Sequence, residues 1–381
     1  MGAKKLKIGI IGFGFIGKVH AHCYHAIPHV YDHPSVFADV QALLRTSKGR
    51  DFQEIKSIGN PEVFTDLEEF AGLELDIVDI CTPNFLHLDE VRTILEKGKP
   101  HIYCEKPLGL NLDHAEKITT LAKQAGIQTH TAFMNRYYPA VRQAKAVLES
   151  GAIGKIYNFR AHYFHNSYMD PERPISWRLQ KEKAGGGAMA DLGIHIIDLI
   201  RYLLGDAEWV QGHTRTFIHK RPSHSGSQQM LPVDVDDWSL CTLGMQNGST
   251  GFIEATRMSG GAGDSTRIEI FGSRGSIEVD LSQPLKANYY NQDRKLMLVG
   301  DLEFATPLGE RPSREIWPPE KKSLGPFKDT HTACIYDFLL NITEGKESGV
   351  NFVNALKAQE ILEAVYLSSA EDSRKIKLPL I

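Results

Sequence analysis

Three short motifs contain the residue types that could move a proton and a hydride. The first is a glycine-rich turn of the kind that binds a dinucleotide, Gly12-Phe13-Gly14-Phe15-Ile16-Gly17. The second, Glu105-Lys106-Pro107, ends an apolar run, and the third, Asp191-Leu192-Gly193-Ile194-His195, follows the triplet Gly185-Gly186-Gly187. A lysine, an acid and a histidine beside a dinucleotide could transfer a hydride and a proton at a carbinol carbon.

The glycine-rich turn lies in the context that a dinucleotide site requires. It follows a predicted strand, Leu6–Ile11, and opens a predicted helix, Phe15–Ala26. We expect Gly12 to permit the tight turn, Gly14 to let a pyrophosphate approach the backbone, and Gly17 to let the helix pack on the sheet. The helix N-terminus offers free N–H groups to the phosphates. The alternative is a strand–helix turn that binds nothing.

The choice between NAD and NADP depends on the residues after the second predicted strand, Val40–Leu44. No acidic residue ends this strand, because Asp39 is predicted to precede it. The segment that follows contains hydroxyls and cations that suit a 2′-phosphate: Arg45, Thr46, Ser47, Lys48 and Arg50. These residues could also form an ordinary solvated loop. We therefore expect NAD or NADP as cofactor, with a slight preference for NADP.

A second loop is expected to contact the cofactor where the strand Ile77–Cys81 ends. Pro83 breaks that strand, and His87 starts the next helix. Asn84 is predicted to cap this helix and could also donate to the ribose and the carboxamide. The predicted cofactor site comprises Gly12, Phe13, Gly14, Phe15, Ile16, Gly17, Arg45, Thr46, Ser47, Thr82, Pro83, Asn84, His87, Glu105 and Lys106.

The elements that position these motifs form two domains of different type. Short apolar runs alternate with helical patterns in residues 1–136, which predicts a Rossmann domain with a doubly wound parallel sheet. Residues 137–381 are predicted to form an α+β domain with a large, mostly antiparallel sheet for substrate binding and oligomerisation, and its last helices could pack back on the first domain. Its predicted strands are residues 155–164, Trp209–Ile218, Trp238–Met245, Ser249–Thr256, Thr266–Phe271 and Ser276–Leu281, and a helix is predicted over Asp191–Leu204.

Composition excludes several classes of partner. The chain has 381 residues and a formal charge of −4, so it offers no broad basic field for nucleic acid or an anionic membrane. No apolar run is long enough to span a bilayer, and five scattered cysteines indicate a reducing, cytoplasmic location. No metal is expected, because Pro28 and Pro34 should break the helical spacing of His20, His22, Cys23, His25, His29 and His33.

The motifs together resemble the Gfo/Idh/MocA family, the glucose-fructose oxidoreductase and inositol dehydrogenase group. The resemblance comes from GFGFIG, TPNFLH, CEKPLG and GGGAMADLGIHIIDL, in this order along the whole chain. Further segments resemble the levoglucosan dehydrogenase branch of that family. They are Asp170-Pro171, Pro174, Ser176-Trp177-Arg178, the run PVDVDD at 232–237, and Glu254-Ala255-Thr256-Arg257.

The resemblance implies a role for each catalytic candidate. Lys106 would bring a cation to the reacting oxygen, and His195 would take the hydroxyl proton. Asp191, four residues before His195, would share its helix face and orient the imidazole. The glycine triplet would allow a close approach to the cofactor. The wall of the substrate pocket would come from Tyr163, His165, Trp177 and Arg178, although Trp177 could instead be a packing residue.

The resemblance also implies the reaction class and the assembly. We expect an NAD(P)-dependent dehydrogenase that acts on a secondary alcohol of a sugar, anhydrosugar or cyclitol. The alternatives are a nicotinamide-dependent glycosidase and a non-catalytic NAD(P) sensor. A homodimer or homotetramer is expected to form through the open face of the second sheet, which is predicted to present Trp238, Leu240, Thr242, Phe252 and Glu254.

Overall fold

The computed structural model describes residues 3–46, 52–299, 306–307 and 309–380, and the chain divides into two compact units. The first unit comprises residues 1–137 and 311–356. The second comprises residues 138–310 and 357–381. Each unit is built on its own large sheet, and a separate two-stranded pairing makes a third, small sheet.

The strands and helices alternate in the first part of the chain and cluster as strands in the second. The strands are β1 (Lys4–Ile11), β2 (Val36–Leu44), β3 (Glu62–Phe64), β4 (Ile77–Ile80), β5 (His101–Cys104), β6 (Thr129–Thr131), β7 (Ile156–His165), β8 (Ala207–Arg215), β9 (Lys220–Pro222), β10 (Met230–Pro232), β11 (Trp238–Met245), β12 (Thr250–Thr256), β13 (Asp264–Gly272), β14 (Gly275–Asp280), β15 (Ala287–Asn291), β16 (Leu296–Val299) and β17 (Ile376–Lys377). The helices are α1 (Phe15–Val30), α2 (Phe52–Ser57), α3 (Leu67–Ala71), α4 (His87–Lys97), α5 (Leu112–Ala125), α6 (Pro139–Glu149), α7 (Lys181–Ala184), α8 (Ile194–Leu204), α9 (Ser313–Ile316), α10 (Pro326–Glu344) and α11 (Phe352–Ala370).

The first sheet is parallel, with the order β3-β2-β1-β4-β5-β6. The order reverses beside β1, because β2 and β4 pair on its two sides. Doubly wound sheets bind ligands at such a switch point, outside the carboxyl ends of the strands. The predicted Rossmann fold is therefore confirmed, and the short edge strand β3 is an addition to the predicted strands.

Helix ends in this unit follow the local sequence. Asn111 caps α5 by accepting the N–H of His114 at 2.9 Å, and Gly126 ends it in the left-handed conformation with φ 67°. The predicted break at Pro28 is wrong, because α1 continues through it to Val30. Pro28 lies in the last turn, where it removes only one backbone donor.

The second strand is longer than predicted, which corrects the position of Asp39. β2 begins at Val36, so Asp39 lies inside the strand instead of before it. The Nζ atom of Lys5 on the neighbouring strand is 2.8 Å from its carboxylate. This cross-strand pair lets a charged residue occupy the strand.

The second sheet has nine strands in the order β16-β15-β14-β13-β7-β12-β11-β8-β17. The pair β7 and β12 is parallel, whereas the other neighbours are antiparallel. The predicted α+β class is confirmed. One face of β11 is buried through Cys241 and Leu243, while Trp238 and Leu240 on the other face are half-buried.

The largest correction in this unit concerns the predicted helix over Asp191–Leu204. The chain forms a π-helical turn over Met189–Gly193, and α8 begins only at Ile194. A Cβ atom on Gly193 would lie 2.1 Å from the sulfur of Met189. The wide turn therefore holds the Met189 side chain where only a glycine fits.

Among the helices described, none has both the length and the apolar character that a membrane crossing requires.

Candidate active site

The dinucleotide turn of the first unit uses each glycine for a different physical reason. Gly12 has φ 89°, a conformation that favours glycine. Within the described chain, no atom lies within 4 Å of a Cβ built on Gly14, so this backbone is open to a ligand. A Cβ on Gly17 would lie 2.0 Å from the carbonyl oxygen of Gly12, so the turn closes tightly on itself.

The other side chains of the turn differ in their exposure to solvent. Phe13 is buried and Ile16 is half-buried, whereas Phe15 at the first position of α1 is 76% exposed. The open backbone and the helix N-terminus suit a pyrophosphate group. The residues present therefore fit a dinucleotide.

The residues after β2 are only partly described. The backbone N–H of Arg45 donates to the carbonyl of Phe64 at 3.1 Å, and its side chain is half-buried. Thr46 is exposed. The predicted contact Ser47 lies outside the described residues, as do Lys48 and Arg50.

The loop after β4 corrects the predicted cap at Asn84. Asn84 is buried and donates from Nδ2 to the carbonyl of Gly109 at 3.3 Å. It does not cap α4, because the N-cap residue is Leu86. His87 is fully buried, and its two ring nitrogens lie 3.0 Å from the carbonyls of Thr82 and Leu108. It therefore connects two loops, and burial lowers the pKa of His87.

Behind the same loop lies a carboxyl group that the sequence analysis missed. The hydroxyl of Thr82 donates to Oε2 of Glu90 at 2.5 Å. Burial raises the pKa of Glu90 to about 7, although the Thr82 hydroxyl lowers it. An acid on the buried face of a helix gave no sequence signal, because glutamate is common in helices.

Lys106 follows the carboxyl end of β5. The N–H of Glu105 donates to the carbonyl of Ile80 at 2.9 Å, which continues the pairing with β4. The Glu105 side chain is buried, and its Oε2 accepts the backbone N–H of Lys106 at 3.1 Å. Lys106 itself is half-buried. Glu105 thus supports the backbone of Lys106, and its predicted contact with the cofactor stays a prediction.

In the second unit, Asp236 organises the segment that precedes the candidate histidine. Its carboxylate accepts four hydrogen bonds, at 2.7 to 2.9 Å, from the N–H groups of Gly187 and Met189 and the hydroxyls of Ser239 and Tyr366. In the sequence, Asp236 is indicated only as part of the PVDVDD run, with no predicted contact to the glycine triplet. Four convergent donors make this carboxylate the structural centre of the turn.

The glycine triplet serves this packing. A Cβ on Gly186 would lie 2.0 Å from the Tyr366 hydroxyl, and one on Gly187 would lie 1.9 Å from the Asp236 carbonyl. Gly185 ends α7 with φ 73°. We predicted that the triplet would allow a close approach to the cofactor; in the structure it allows a close approach of the chain to itself.

Asp191 projects from the π-helical turn and is paired with Arg257, which the sequence indicated only as part of the segment Glu254-Ala255-Thr256-Arg257. Its Oδ2 lies 3.1 Å from Nη2 of Arg257, and its Oδ1 lies 4.0 Å from Nε of the exposed Arg178. The guanidinium of Arg257 is fully buried and stacks over Tyr168, with Cζ 4.7 Å from the ring centroid. Burial lowers the pKa of Arg257, but Asp191 and other nearby groups together outweigh this effect and the net shift is upward.

His195 is the second residue of α8 and is 4% exposed. Its ring centroid lies 6.1 Å from that of Tyr163 on β7, with the planes tilted by 52°. Burial and the Asp264 carboxylate raise the pKa of Tyr163 well above its usual value. The helix and the strand therefore bring an imidazole and a phenol together.

The remaining predicted substrate residues lie at the end of β7 and in a 3-10 turn over Trp177–Leu179 that follows it. Nδ1 of His165 accepts the N–H of Ser167 at 3.0 Å. Trp177 is half-buried, and the guanidinium of Arg178 stacks on its indole with Cζ 4.3 Å from the ring centroid. Arg178 is also linked to Arg257, which donates to its carbonyl at 3.3 Å. Of the three catalytic candidates, Lys106 belongs to the first unit, and Asp191 and His195 belong to the second.

Both units match profiles of one protein family. Residues 6–133 match the oxidoreductase family with an NAD-binding Rossmann fold, and residues 141–278 match the Gfo/Idh/MocA C-terminal domain.

Two relatives match over nearly their whole length. Levoglucosan dehydrogenase of Pseudarthrobacter phenanthrenivorans is 32% identical, with 97% of each chain covered. Myo-inositol 2-dehydrogenase of Thermotoga maritima is 26% identical, with 98% of each chain covered. A solved structure of levoglucosan dehydrogenase in complex with NADH and levoglucosan superposes with a TM-score of 0.89 at 30% identity, covering 99% of this chain and 100% of that one. Sequence, fold and family profiles therefore agree that this chain belongs to the Gfo/Idh/MocA family and is an NAD-binding oxidoreductase.

Proposed function

We propose that this protein is a nicotinamide-dependent dehydrogenase that oxidises a secondary alcohol of an anhydrosugar, sugar or cyclitol. The observation that carries the proposal is the full-length likeness to levoglucosan dehydrogenase solved with NADH and levoglucosan. The relative that acts on myo-inositol supports the wider class of ring polyols.

The proposed reaction gives a separate role to each catalytic candidate. The nicotinamide supplies a hydride acceptor when it is bound. His195 takes the hydroxyl proton, because imidazole has a pKa near neutrality in its usual range. Lys106 stabilises the oxygen as it gains alkoxide character. Asp191 orients this region through its pairing with Arg257.

The proposed substrate pocket uses Tyr163, His165, Trp177 and Arg178. Half-buried aromatic rings suit the apolar face of a sugar ring, and guanidinium and imidazole groups suit its hydroxyls. The stacked pair Trp177 and Arg178 presents both kinds of surface next to Asp191.

For the cofactor, we propose that NADP is accepted along with NAD, with a slight preference for NADP. Support comes from the second strand, which ends without a carboxylate that would repel a 2′-phosphate, and from Arg45 beside it. The NADH complexes of levoglucosan dehydrogenase favour NAD. Titration of both cofactors into the protein tests the proposal. NADP binding at least ten times weaker than NAD would contradict it.

Oxidation of ring polyols is tested by following reduced nicotinamide with levoglucosan, myo-inositol, scyllo-inositol, L-sorbose and glucose 6-phosphate. We expect rapid reduction with at least one anhydrosugar, sugar or cyclitol, and none with primary aliphatic alcohols. Cleavage of a glycoside without net change in the cofactor would instead indicate the glycosidase. Tight NAD(P)H binding with no turnover of any polyol would indicate a sensor.

We further propose a cytoplasmic homodimer or homotetramer. All five cysteines are buried and free, which suits a reducing compartment. Assembly through the open face of the second sheet is supported by Phe252, which is 42% exposed on β12, beside half-buried Phe271 and exposed Arg160.

A further inference from the structure

A buried cluster of ionisable side chains lies next to Lys106 in the first unit. It joins His20 on α1, Asp79 on β4, Cys81 after β4, and Glu105 after β5, and all four residues are buried. Nδ1 of His20 lies 3.0 Å from Oδ2 of Asp79, and its Nε2 lies 3.3 Å from Oε1 of Glu105. The histidine therefore sits between two carboxylates from neighbouring strands.

The geometry favours a charged imidazole. Nδ1 of His20 is hydrogen-bonded to the Asp79 carboxylate, and Oε1 of Glu105 lies 3.3 Å from Nε2, within ion-pair distance. A positive charge on the ring is therefore balanced by a carboxylate on each side, whereas a neutral ring would direct a lone pair at one of them. The pKa of His20 agrees: burial lowers it, but Cys81 and Asp79 outweigh this effect and raise it well above the usual value.

A metal ion is a poorer explanation of the same cluster. His20, Asp79 and Cys81 could each offer a ligand atom, and these atoms lie within 4.8 Å of one another. However, Nδ1 of His20 is already hydrogen-bonded to Asp79 at 3.0 Å, and its Nε2 is 3.3 Å from Glu105, which is the arrangement of an ion pair.

The other ionisable rings around His20 are neutral, so the positive charge that balances the two carboxylates lies on His20. The ring of His331 on α10 lies 5.3 Å from that of His20; burial, together with the charge of His20, lowers the pKa of His331 to about 3. The ring of Tyr103 meets His20 edge-on at 5.3 Å, and burial raises the pKa of its phenol. Tyr24 on α1 is neutral for the same reason.

Glu105 connects this cation to the site. Burial would raise the pKa of Glu105, but His20 and Lys106 overcome that effect and hold it at about 2. The ionised carboxylate faces His20 with Oε1 and accepts the backbone N–H of Lys106 with Oε2. We propose that His20 is a permanently charged positioning residue, which fixes Glu105 and, through it, the backbone of Lys106.

This inference rests on the catalytic role proposed for Lys106, so its test includes measurements that need no turnover. The variants are His20→Gln and Glu105→Gln, and His22→Gln on the exposed side of α1 is the matched control. In the wild type, nitrogen-15 spectra of labelled histidine should show both ring nitrogens of His20 protonated at pH 8. A neutral His20 at that pH would overturn the proposal.

The second measurement is amide hydrogen exchange of the peptide that contains Lys106. We expect exchange at least tenfold faster in His20→Gln and in Glu105→Gln, unchanged in His22→Gln, and no faster in the double variant than in Glu105→Gln alone. If His20→Gln lowers the melting temperature but leaves the exchange at Lys106 unchanged, His20 has only a structural role and the proposal is wrong.

Kinetics provide the third measurement. On a substrate found by the polyol screen, His20→Gln should lower kcat at least tenfold while the Kd for NADH changes less than threefold. Unchanged kcat would contradict the proposal. If the wild type oxidises no polyol, the proposed function fails, and the spectra and exchange data still decide the role of His20.

Discussion

Nη2 of Arg257 lies 3.1 Å from Oδ2 of Asp191. Arg257 directly follows β12, and Asp191 lies in the π-helical turn. The arginine is fully buried, whereas the carboxylate side chain is 25% exposed. Breaking a buried ion pair leaves an uncompensated charge, which destabilises a protein by about 3–5 kcal/mol.

We therefore expect Arg257→Met to lower the free energy of unfolding by about 2–4 kcal/mol, since Asp191 keeps some access to water. Turnover should fall with it, because Asp191 loses its anchor. Urea unfolding and kcat measure the two effects. Arg267→Met, which removes a more exposed ion pair with Glu278, is the control and should change stability by less than about 1 kcal/mol. Equal losses in both variants would refute the special role of Arg257.

Removal of either proposed catalytic group should abolish most of the turnover without unfolding the protein. Lys106→Ala and His195→Asn are each expected to lower kcat by at least ~100-fold, the usual loss for an electrostatic or acid–base group. Cofactor affinity should survive in both. Lys117→Ala and His29→Asn, which alter exposed residues, should have near-normal rates. Near-normal turnover in either site variant would refute the assigned roles.

The dinucleotide turn predicts opposite results for two glycines. Gly14→Ala adds a methyl group to open space, so the melting temperature should change by no more than about 2 °C. The same methyl group would obstruct a pyrophosphate, so the Kd for NADH should rise at least ~10-fold. Gly17→Ala places its methyl group against the Gly12 carbonyl and should lower the melting temperature clearly. Calorimetry and fluorescence titration separate the two effects, and identical behaviour of the two variants would argue against this reading.

Glu90 makes stability depend on pH. Its folded pKa of about 7 lies above the usual value of 4.5, so the folded state binds the proton more tightly than the unfolded state. The contribution of Glu90 to the free energy of unfolding is therefore fully present below about pH 4.5 and is lost as the pH rises through 7. The full loss is about 3 kcal/mol.

Glu90→Gln should remove this dependence. The free energy of unfolding of the variant, minus that of the wild type, should increase from pH 5 to pH 8. Urea unfolding at both pH values measures this difference. Glu96→Gln, on the exposed side of the same helix, should keep the wild-type dependence. Parallel curves for wild type and Glu90→Gln would show that the carboxyl group titrates normally.

The open face of the second sheet predicts self-association. Phe252→Asp places a charge on its exposed aromatic surface, which should shift the protein towards monomers at micromolar concentration. Light scattering reports the mass, and Lys155→Asp, at an exposed position directly before β7, serves as the charge control. If the wild type has the mass of a monomer at micromolar concentration, the proposal is wrong.

Sequence patterns predicted those features that depend on neighbouring residues. Alternating apolar runs and helix signals predicted the parallel sheet. The dinucleotide turn was predictable because its glycines lie in one short segment.

Partners that are distant in the chain could not be predicted in this way. Asp236 lies 49 residues from Gly187, and Arg257 lies 66 residues from Asp191, so no local spacing relates them. The π-helical turn also has no distinct periodicity, because one wide turn leaves the apolar pattern of α8 almost unchanged. Asn84 was misassigned for a related reason: its acceptor, the Gly109 carbonyl, lies beyond the next strand.

The bond between Tyr366 and the Asp236 carboxylate has a consequence for the order in which the protein matures on the ribosome. The Tyr366 hydroxyl also accepts the N–H of Gly187, which is made 179 residues earlier. At about 5–20 residues per second, the ribosome needs about 10–35 s to synthesise that interval. Throughout this time the turn before His195 lacks one of the groups that shape it. The turn therefore stays without two of its hydrogen bonds until α11 has emerged.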